Sequence, residues 1–339
     1  MKDFYIADAA RFENQPITSF FLVASIAARD RKPSGQYLAI TLADKSGQFE
    51  ARMWEDFADV LQTCTAGCYV KVQGQISKYQ GKFQITLTKM RLAAASEIDT
   101  ADFVPTTQYD IPTMAAELRR HVAAFSNPHL RRLVLSFLDD PTLGPQFLEA
   151  PAAKRLHHAW IGGLLEHVLH LVRICLATAP FYPEVDPDLL LTGAILHDIG
   201  KVRELSWGTT FDYTLEGQLI GHISIAQGLL HEKIAQLNAA NPGEPFPSQL
   251  RLLVEHMILS HHGKLEFGSP KLPMTPEAML LSALDDLEAK FQALRNEFAS
   301  ATAAGRPASE PTEWVRSMDR PLFNSQAWLN STPPKPTKD

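Results

Sequence analysis

The segment LLLTGAILHDIGK, residues 189–201, sets a histidine beside an aspartate inside an otherwise apolar run. An apolar helix ordinarily avoids a carboxylate, because burying an ionised aspartate costs several kcal/mol unless a cation or a hydrogen-bonded partner neutralises it. The pair His197 and Asp198 therefore constrains the fold, since the rest of the chain must supply a partner for this buried charge.

Other histidine and aspartate residues recur along the same helical stretch. His167 precedes the pair, and His222, His261, His262 and Asp285 follow it. Imidazole nitrogens combined with carboxylate oxygens suit a borderline or hard divalent cation such as Mn, Fe, Zn, Co or Ni. The pattern predicts a metal centre assembled from several helices.

Length and composition set the frame for this centre. The 339 residues suggest about two domains, and 45% apolar residues supply material for their cores. No uninterrupted apolar run approaches the ~18 residues that span a bilayer, and the start MKDFYIADAARFENQ lacks the layout of a signal peptide. We expect a soluble, cytoplasmic protein with no membrane partner.

Cys64, Cys68 and Cys175 are too few for a disulfide framework, and Cys64 and Cys68 lack the second pair of ligands that a zinc site needs.

The first part of the chain, residues 14–95, reads as short strands. The runs are ITSFFLVASIAARD, GQYLAITLAD, GQFEARMWED, YVKVQGQIS and KFQITLTKM, with the turn signals PSG, KSG and YQG between neighbours. Residues 56–63 can form a helix between the third and fourth strands. Five strands interrupted in this way predict an all-β OB-fold barrel.

The same part of the chain is basic, although the whole protein carries a net charge of −6. Residues 16–95 contain ten Lys and Arg against six Asp and Glu. OB-folds commonly hold single-stranded nucleic acid in a cationic groove with aromatic stacking platforms. Alternation along KFQITLTKM turns Phe83 towards the core. The predicted strand-binding residues are Tyr37, Trp54, Tyr79, Lys78 and Lys82. Core aromatics beside a solvated basic face are the alternative.

Residues 96–111 have little apolar periodicity and read as a linker, and residues 112–300 are almost wholly helical. Asp186 followed by Pro187 predicts the start of the helix that carries His197 and Asp198. Later helices are predicted at 215–237, 248–262 and 276–298. Residues 301–339 read as a mostly extended tail with a docking segment near 312–323.

The order His, His-Asp, His, His-His, Asp on successive helices resembles the HD superfamily of metal-dependent phosphohydrolases over roughly residues 112–300. The resemblance is carried by HHAWIGGLLEHVLHL, ILHDIGK, GHI, MILSHHGKLEFGSPKLPMTPEAMLL and ALDDLEAK. With the barrel in front, the whole chain resembles the YhaM-type 3′→5′ exoribonucleases. The resemblance implies a multidomain protein, an all-β OB-fold barrel followed by an all-α HD bundle, that hydrolyses single-stranded RNA. Single-stranded DNA as a second substrate, and a homo-oligomer, are left open.

The resemblance also implies roles for individual residues. His167, His197, Asp198 and Asp285 would hold one metal, with Asp198 able to bridge to a second. The residues left for that second metal, or for phosphate contacts, are His222, His261 and His262. Mn²⁺ is the favoured ion, with Fe, Co, Ni, Zn and Mg left open, and one or two ions are expected per chain. Asp198, Lys201 and His222 would be the catalytic residues.

Several assignments near the centre keep an alternative. Lys201 follows Asp198 by about one helical turn and would neutralise phosphate charge, or it forms a surface ion pair. His158 and Arg155 would line a phosphate entrance, or this segment caps a helix. Asp286 is rotated by about 100° from Asp285, which leaves it a supporting or substrate role.

Two functions other than exoribonuclease remain open. The centre can also serve a small-nucleotide phosphohydrolase, and the chain can be a single-strand-binding protein with an inactive centre. Cyclic-dinucleotide hydrolysis is disfavoured, because HHGKLEFGSP lacks the Gly-Tyr-Pro element of that HD branch.

Overall fold

The computed structural model describes residues 2–31, 35–79, 82–99, 102–154, 158–208, 211–303 and 305–331, apart from the side chains of residues 82 and 303. Its first part is a closed barrel with the strand order β1-β2-β3-β5-β4. The strands are β1 (Pro16–Asp30), β2 (Gln36–Asp44), β3 (Gly47–Met53), β4 (Tyr69–Tyr79) and β5 (Lys82–Leu92), and helix α1 (Ala58–Thr63) lies between β3 and β4. Neighbours are antiparallel except β3 and β5, which are parallel. The predicted OB-fold is confirmed.

The barrel closes because its strands bend, and its interior is filled because side chains alternate between the two faces of each strand. Phe21, Val72 and Ile85 are completely buried in its interior, as the period of two along a strand requires. A register shift between Gln73 and Gly74 bends β4 against β5. A Cβ atom at Gly74 would lie 2.4 Å from the carbonyl oxygen of Thr86, so this close strand approach needs glycine.

The second part of the chain is a helical bundle. Its helices are α2 (Ile111–Ala123), α3 (Pro128–Leu138), α4 (Leu143–Glu149), α5 (Gly163–Thr178), α6 (Pro187–Leu196), α7 (Lys201–Glu204), α8 (Leu215–Leu219), α9 (His222–Ala240), α10 (Ser248–Ser260), α11 (Pro276–Ala303) and α12 (Ser325–Ser331). A short hairpin pairs β6 (Leu205–Ser206) with β7 (Asp212–Tyr213). One continuous apolar core joins α2 to α11.

Helix boundaries explain how the bundle presents its histidines. Asp186 caps α6, as predicted, by accepting a hydrogen bond from the backbone N–H of Leu189 at 2.8 Å. The single helix predicted from residue 215 to 237 is wrong, because Gly221 adopts φ +78° and breaks it into α8 and α9. His222 is therefore the first residue of α9 rather than a residue inside a helix.

Within the described residues, one helical stretch, Gly163–Phe181, is long and apolar enough to cross a membrane by length and composition, with a mean hydropathy of 1.3. Glu166 and His167 lie on this stretch, and both are buried inside the bundle. The buried core helix of a bundle can be equally long and apolar, so this stretch is weak evidence for a membrane span.

Candidate metal centre and nucleic-acid interface

Helices α5, α6, α9, α10 and α11 meet at one point in the bundle. Each contributes its polar residue from the end or the inner face of the helix, where packed neighbours hold the side chain. The residues that the structure brings together there are His167, His197, Asp198, His222, His261, His262 and Asp285.

One set of donor atoms gathers around His167 and His197. The Nε2 atom of His167 lies 3.3 Å from Nε2 of His197 and 3.2 Å from Oδ1 of Asp285. The Nε2 atom of His197 lies 3.3 Å from Oδ2 of Asp198. Both imidazoles are almost completely buried. Each of the two nitrogens thus lies within 4 Å of the other and of one oxygen of Asp198 and one oxygen of Asp285, and nitrogens with carboxylate oxygens are the donor set of a divalent cation.

The other ring nitrogens fix how these imidazoles face the centre. The Nδ1 atom of His197 donates to the carbonyl oxygen of Ala194 at 3.0 Å, and Nδ1 of His167 contacts Oε2 of Glu288 at 2.8 Å. Each ring therefore offers Nε2 to the centre, and two such nitrogens 3.3 Å apart suit a shared cation. Without a cation, burial lowers the pKa of His167, but Asp285 and Glu288 outweigh it and raise the pKa to about 10.

A second set of donor atoms lies on the other side of Asp198. His222, His261 and His262 each use Nδ1 to contact an oxygen, namely Oε1 of Glu204 at 2.9 Å, the carbonyl oxygen of Ile258 at 2.7 Å and the carbonyl oxygen of Phe267 at 2.9 Å. The three imidazoles each offer a ligand atom, and these atoms lie within 4.8 Å of one another.

Atoms of this second set are buried and unsatisfied. Among the residues that the structure describes, Oδ1 of Asp198, Nε2 of His222 and Nε2 of His261 have no hydrogen-bond partner. Oδ1 of Asp198 lies 3.4 Å from Nε2 of His222 and 3.7 Å from Nε2 of His261. Because each unsatisfied buried polar atom costs ~1–3 kcal/mol, these atoms fit a second cation, with Asp198 shared between the two sets.

Lys201 is buried against the same carboxylate. Its Nζ atom lies 2.6 Å from Oδ2 of Asp198, and the residue is only 9% exposed. Burial raises the pKa of the Asp198 carboxyl, but the positive charge of Lys201 and the neighbouring imidazole of His197 outweigh it and hold that pKa well below its usual range. The surface ion pair considered for Lys201 is therefore wrong, because the pair is buried within the centre.

Gly200 allows the second set to form. A Cβ atom at this position would lie 2.0 Å from the carbonyl oxygen of His222 and 2.8 Å from the backbone nitrogen of Ala226. Only a residue without a side chain lets the first turn of α9 approach the segment after Asp198 so closely.

The structure corrects the assignment of His158. This residue is completely buried, with φ +47°, and its Nε2 lies 2.9 Å from Oε1 of Glu288. It supports Glu288 from behind the centre and cannot line a phosphate entrance. Arg155 lies outside the described residues.

Sequence reasoning missed two buried carboxylates, Glu204 and Glu288. Glu288 contacts His158 and His167, and Glu204 accepts from both the backbone N–H and Nδ1 of His222. The signal for Glu288 was its position three residues after Asp285, on the same face of α11. For Glu204 we find no comparable local signal.

The barrel gathers the predicted aromatic residues at one end. The rings of Tyr37 and Trp54 lie 4.9 Å apart. The guanidinium of Arg52 lies 5.9 Å from the ring centre of Tyr37 and 5.5 Å from that of Tyr79, and Arg31 lies 5.1 Å from that of Trp54. Aromatic faces interleaved with cations are typical of a single-strand platform.

The other barrel residues divide between platform and core. Lys78 lies 5.1 Å from the ring centre of Phe83. Phe83 packs against the barrel core, as predicted, and Phe49 is buried in it. The side chain of Lys82 lies outside the described part of the structure. Arg31 and Arg52 were not among the predicted strand-binding residues.

Both parts of the chain match known domain families. Residues 164–290 match the HD domain, and residues 22–93 match an OB-fold nucleic acid binding domain. The protein thus joins an OB-fold barrel to a mostly helical HD domain. The HD domain indicates a metal-dependent phosphohydrolase, in agreement with the donor sets around Asp198.

Solved structures resemble the chain only weakly. The second OB-fold domain of replication protein A from Methanococcus maripaludis is 18% identical, with 26% of this chain and 92% of that chain covered and a TM-score of 0.22. A replication protein A heterotrimer bound to ssDNA is 24% identical, with 24% and 60% covered and a TM-score of 0.20. Asparaginyl-tRNA synthetase from Pyrococcus horikoshii is 12% identical, with 72% and 46% covered and a TM-score of 0.25. Likenesses at these TM-scores support no functional assignment.

Proposed function

We propose that this protein is a divalent-metal-dependent 3′→5′ exoribonuclease that removes nucleotides from single-stranded RNA. The observation that carries the proposal is the position of Asp198 between two sets of buried imidazoles, in a chain whose barrel presents an aromatic and basic platform. The 3′→5′ polarity and the preference for RNA rest on the resemblance to YhaM-type enzymes.

Different residues of the chain would have separate roles in the reaction. Divalent cations, when bound, activate water and stabilise the charge that develops on a phosphodiester. Glu288 and Glu204 orient His167 and His222 through their Nδ1 atoms. Lys201 offsets the charge of Asp198. The platform of Tyr37 and Trp54 holds the strand by stacking, which tolerates any base.

The direct test is degradation of a 5′-labelled single-stranded RNA in Mn²⁺, beside a DNA of equal length. We expect a ladder that shortens from the 3′ end and disappears with a chelator or with Asp198→Asn. The matched control is Asp59→Asn, which removes the same charge from an exposed carboxylate on α1 and is expected to leave the ladder unchanged.

Other outcomes would assign another function. An intact RNA together with turnover of free nucleotides, unaffected by loss of the barrel platform, would identify a small-nucleotide phosphohydrolase. RNA binding without turnover, unchanged by chelator and by Asp198→Asn, would identify a single-strand-binding protein with an inactive centre.

A further inference from the structure

A groove of about 690 Å³ opens beside the metal centre and follows helix α11. Its lining includes His262, which belongs to the second imidazole set, as well as Ser317 and Met318. Its helical wall extends from Met279 to Ala293, which at 1.5 Å per residue is about 21 Å. The groove is therefore long, and His262 joins it to the donor atoms.

The walls of the groove combine apolar surface with two ammonium groups, each of which lies beside a carboxylate. Phe267 and Met279 are 56% and 63% exposed, and both face the groove. Lys264 lies 5.0 Å from the ring centre of Phe267 and 3.5 Å from Oε1 of Glu266. Lys290 also lines the groove and pairs with Asp286. Exposed apolar side chains of this size beside ammonium groups suit a ligand that has both flat faces and negative charges.

We propose that this groove holds the terminal nucleotides of a single-stranded polynucleotide. The bases pack against Phe267, Met279 and Met318, and the phosphates lie near Lys264 and Lys290. The inference rests on the proposed phosphodiester hydrolysis at the metal centre and adds the path that the strand takes to it. It also separates a polymer substrate from a free nucleotide.

Length is the argument for a polymer. A stacked strand advances ~3.4 Å per phosphate, so about 21 Å of helix accommodates up to about six nucleotides. A free mononucleotide at the centre would leave most of the groove unfilled. In Trp54→Ala, which weakens the barrel platform, we therefore expect the KM for RNA to fall as the strand lengthens to about six nucleotides and to change little beyond that length.

A matched pair of charge substitutions on one helix tests the groove. Ala293→Glu adds bulk and a negative charge to the groove about two helical turns beyond Asp285. Ala299→Glu adds the same charge to an exposed position of α11 outside the groove. In the Asp198→Asn background, we expect Ala293→Glu to weaken binding of a labelled single-stranded RNA by about tenfold and Ala299→Glu to leave it unchanged. Equal dissociation constants for the two variants would overturn the inference.

Photocrosslinking locates the strand independently of activity. RNAs that each carry one 4-thiouridine, placed at successive positions of the 3′-terminal segment, are bound to the Asp198→Asn protein, irradiated and analysed by mass spectrometry. We expect crosslinks to peptides that contain Phe267, Met279 or Met318. Crosslinks confined to barrel peptides, with wild-type protein that trims RNA, would overturn the groove and leave the exoribonuclease proposal standing. Crosslinks to the groove peptides, together with wild-type protein that leaves RNA intact, would overturn the exoribonuclease proposal and leave the groove as the binding site of the strand.

Discussion

Oδ1 of Asp198 lies 3.4 Å from Nε2 of His222, and neither atom has a hydrogen-bond partner among the residues that the structure describes. Contacts on the far side of each group hold both atoms in place. Glu204 contacts Nδ1 of the His222 imidazole, and Lys201 contacts Oδ2 of the Asp198 carboxylate. Leaving two such buried polar atoms without a partner lowers the stability of the folded protein, and a cation bound between them would remove this cost.

Metal binding should stabilise the folded protein. A cation that binds the native state alone, at about 100 times its dissociation constant, adds ~2.7 kcal/mol to the free energy of unfolding. We expect Mn²⁺ to raise the melting temperature and a chelator to reverse the rise. Differential scanning calorimetry of the wild type and of Asp198→Asn checks this, and an equal Mn²⁺ shift in both would contradict the assignment of Asp198 as a ligand.

Gly200→Ala should displace His222 from the centre. The new methyl group would overlap the backbone of His222, and strain of this kind costs ~1–3 kcal/mol. We expect less Mn²⁺ per chain, measured by elemental analysis, and a lower melting temperature. The control is Gly228→Ala in α9, where a Cβ atom meets nothing within 4 Å. There, helix propensity alone should add up to ~1 kcal/mol of stability.

Glu288→Gln should weaken metal binding without removing a ligand. Glu288 contacts Nδ1 of His167, and loss of such an orienting carboxylate typically costs about 10–100-fold in metal affinity. Isothermal titration with Mn²⁺ gives the dissociation constant. Glu232→Gln, an exposed position on α9, is the charge-matched control. A dissociation constant unchanged by Glu288→Gln would show that His167 needs no orienting partner.

Trp54→Ala should weaken single-strand binding by ~1–3 kcal/mol, the usual loss for one stacking platform. The effect should be similar for RNA and DNA, because every base has a stacking face. Fluorescence anisotropy with labelled oligonucleotides measures it. Phe181→Ala removes an aromatic ring that is 80% exposed on the helical bundle and serves as the control. Equal affinities of the two variants for the oligonucleotides would show that the strand does not bind at the barrel platform.

An ion pair far from the centre gives a pH-dependent stability. A hydrogen bond from the buried Lys233 lowers the pKa of Asp140 to about 2. A carboxyl with a depressed folded-state pKa stabilises the protein above its unfolded pKa of ~3.9. That contribution is lost as the pH falls through the folded value of about 2. The stability gap between wild type and Asp140→Asn should be constant above about pH 4 and shrink below it. Urea unfolding at several pH values checks this, and a gap that stays constant down to the lowest pH would contradict it.

The local patterns of the sequence carried much of the fold. The barrel strands were visible because a period of two is written into the strand itself, and Asp186 with Pro187 marked the start of α6 because capping is a contact between near neighbours. Gly221 was not read as a break, since glycine inside a helical pattern only weakens a helix and the surroundings decide whether it ends there.

The sequence by itself determined which residues have metal-binding chemistry and which periodicity places them on helices. Only the tertiary structure decided that His158 is buried behind Glu288, 130 residues further along the chain, and that Lys201 faces inward. It alone showed that Glu204 orients His222 and that a groove leads from His262 along α11. The physical reason is that capping and periodicity act over a few residues, whereas burial and side-chain partners arise from helices that meet only when the bundle packs.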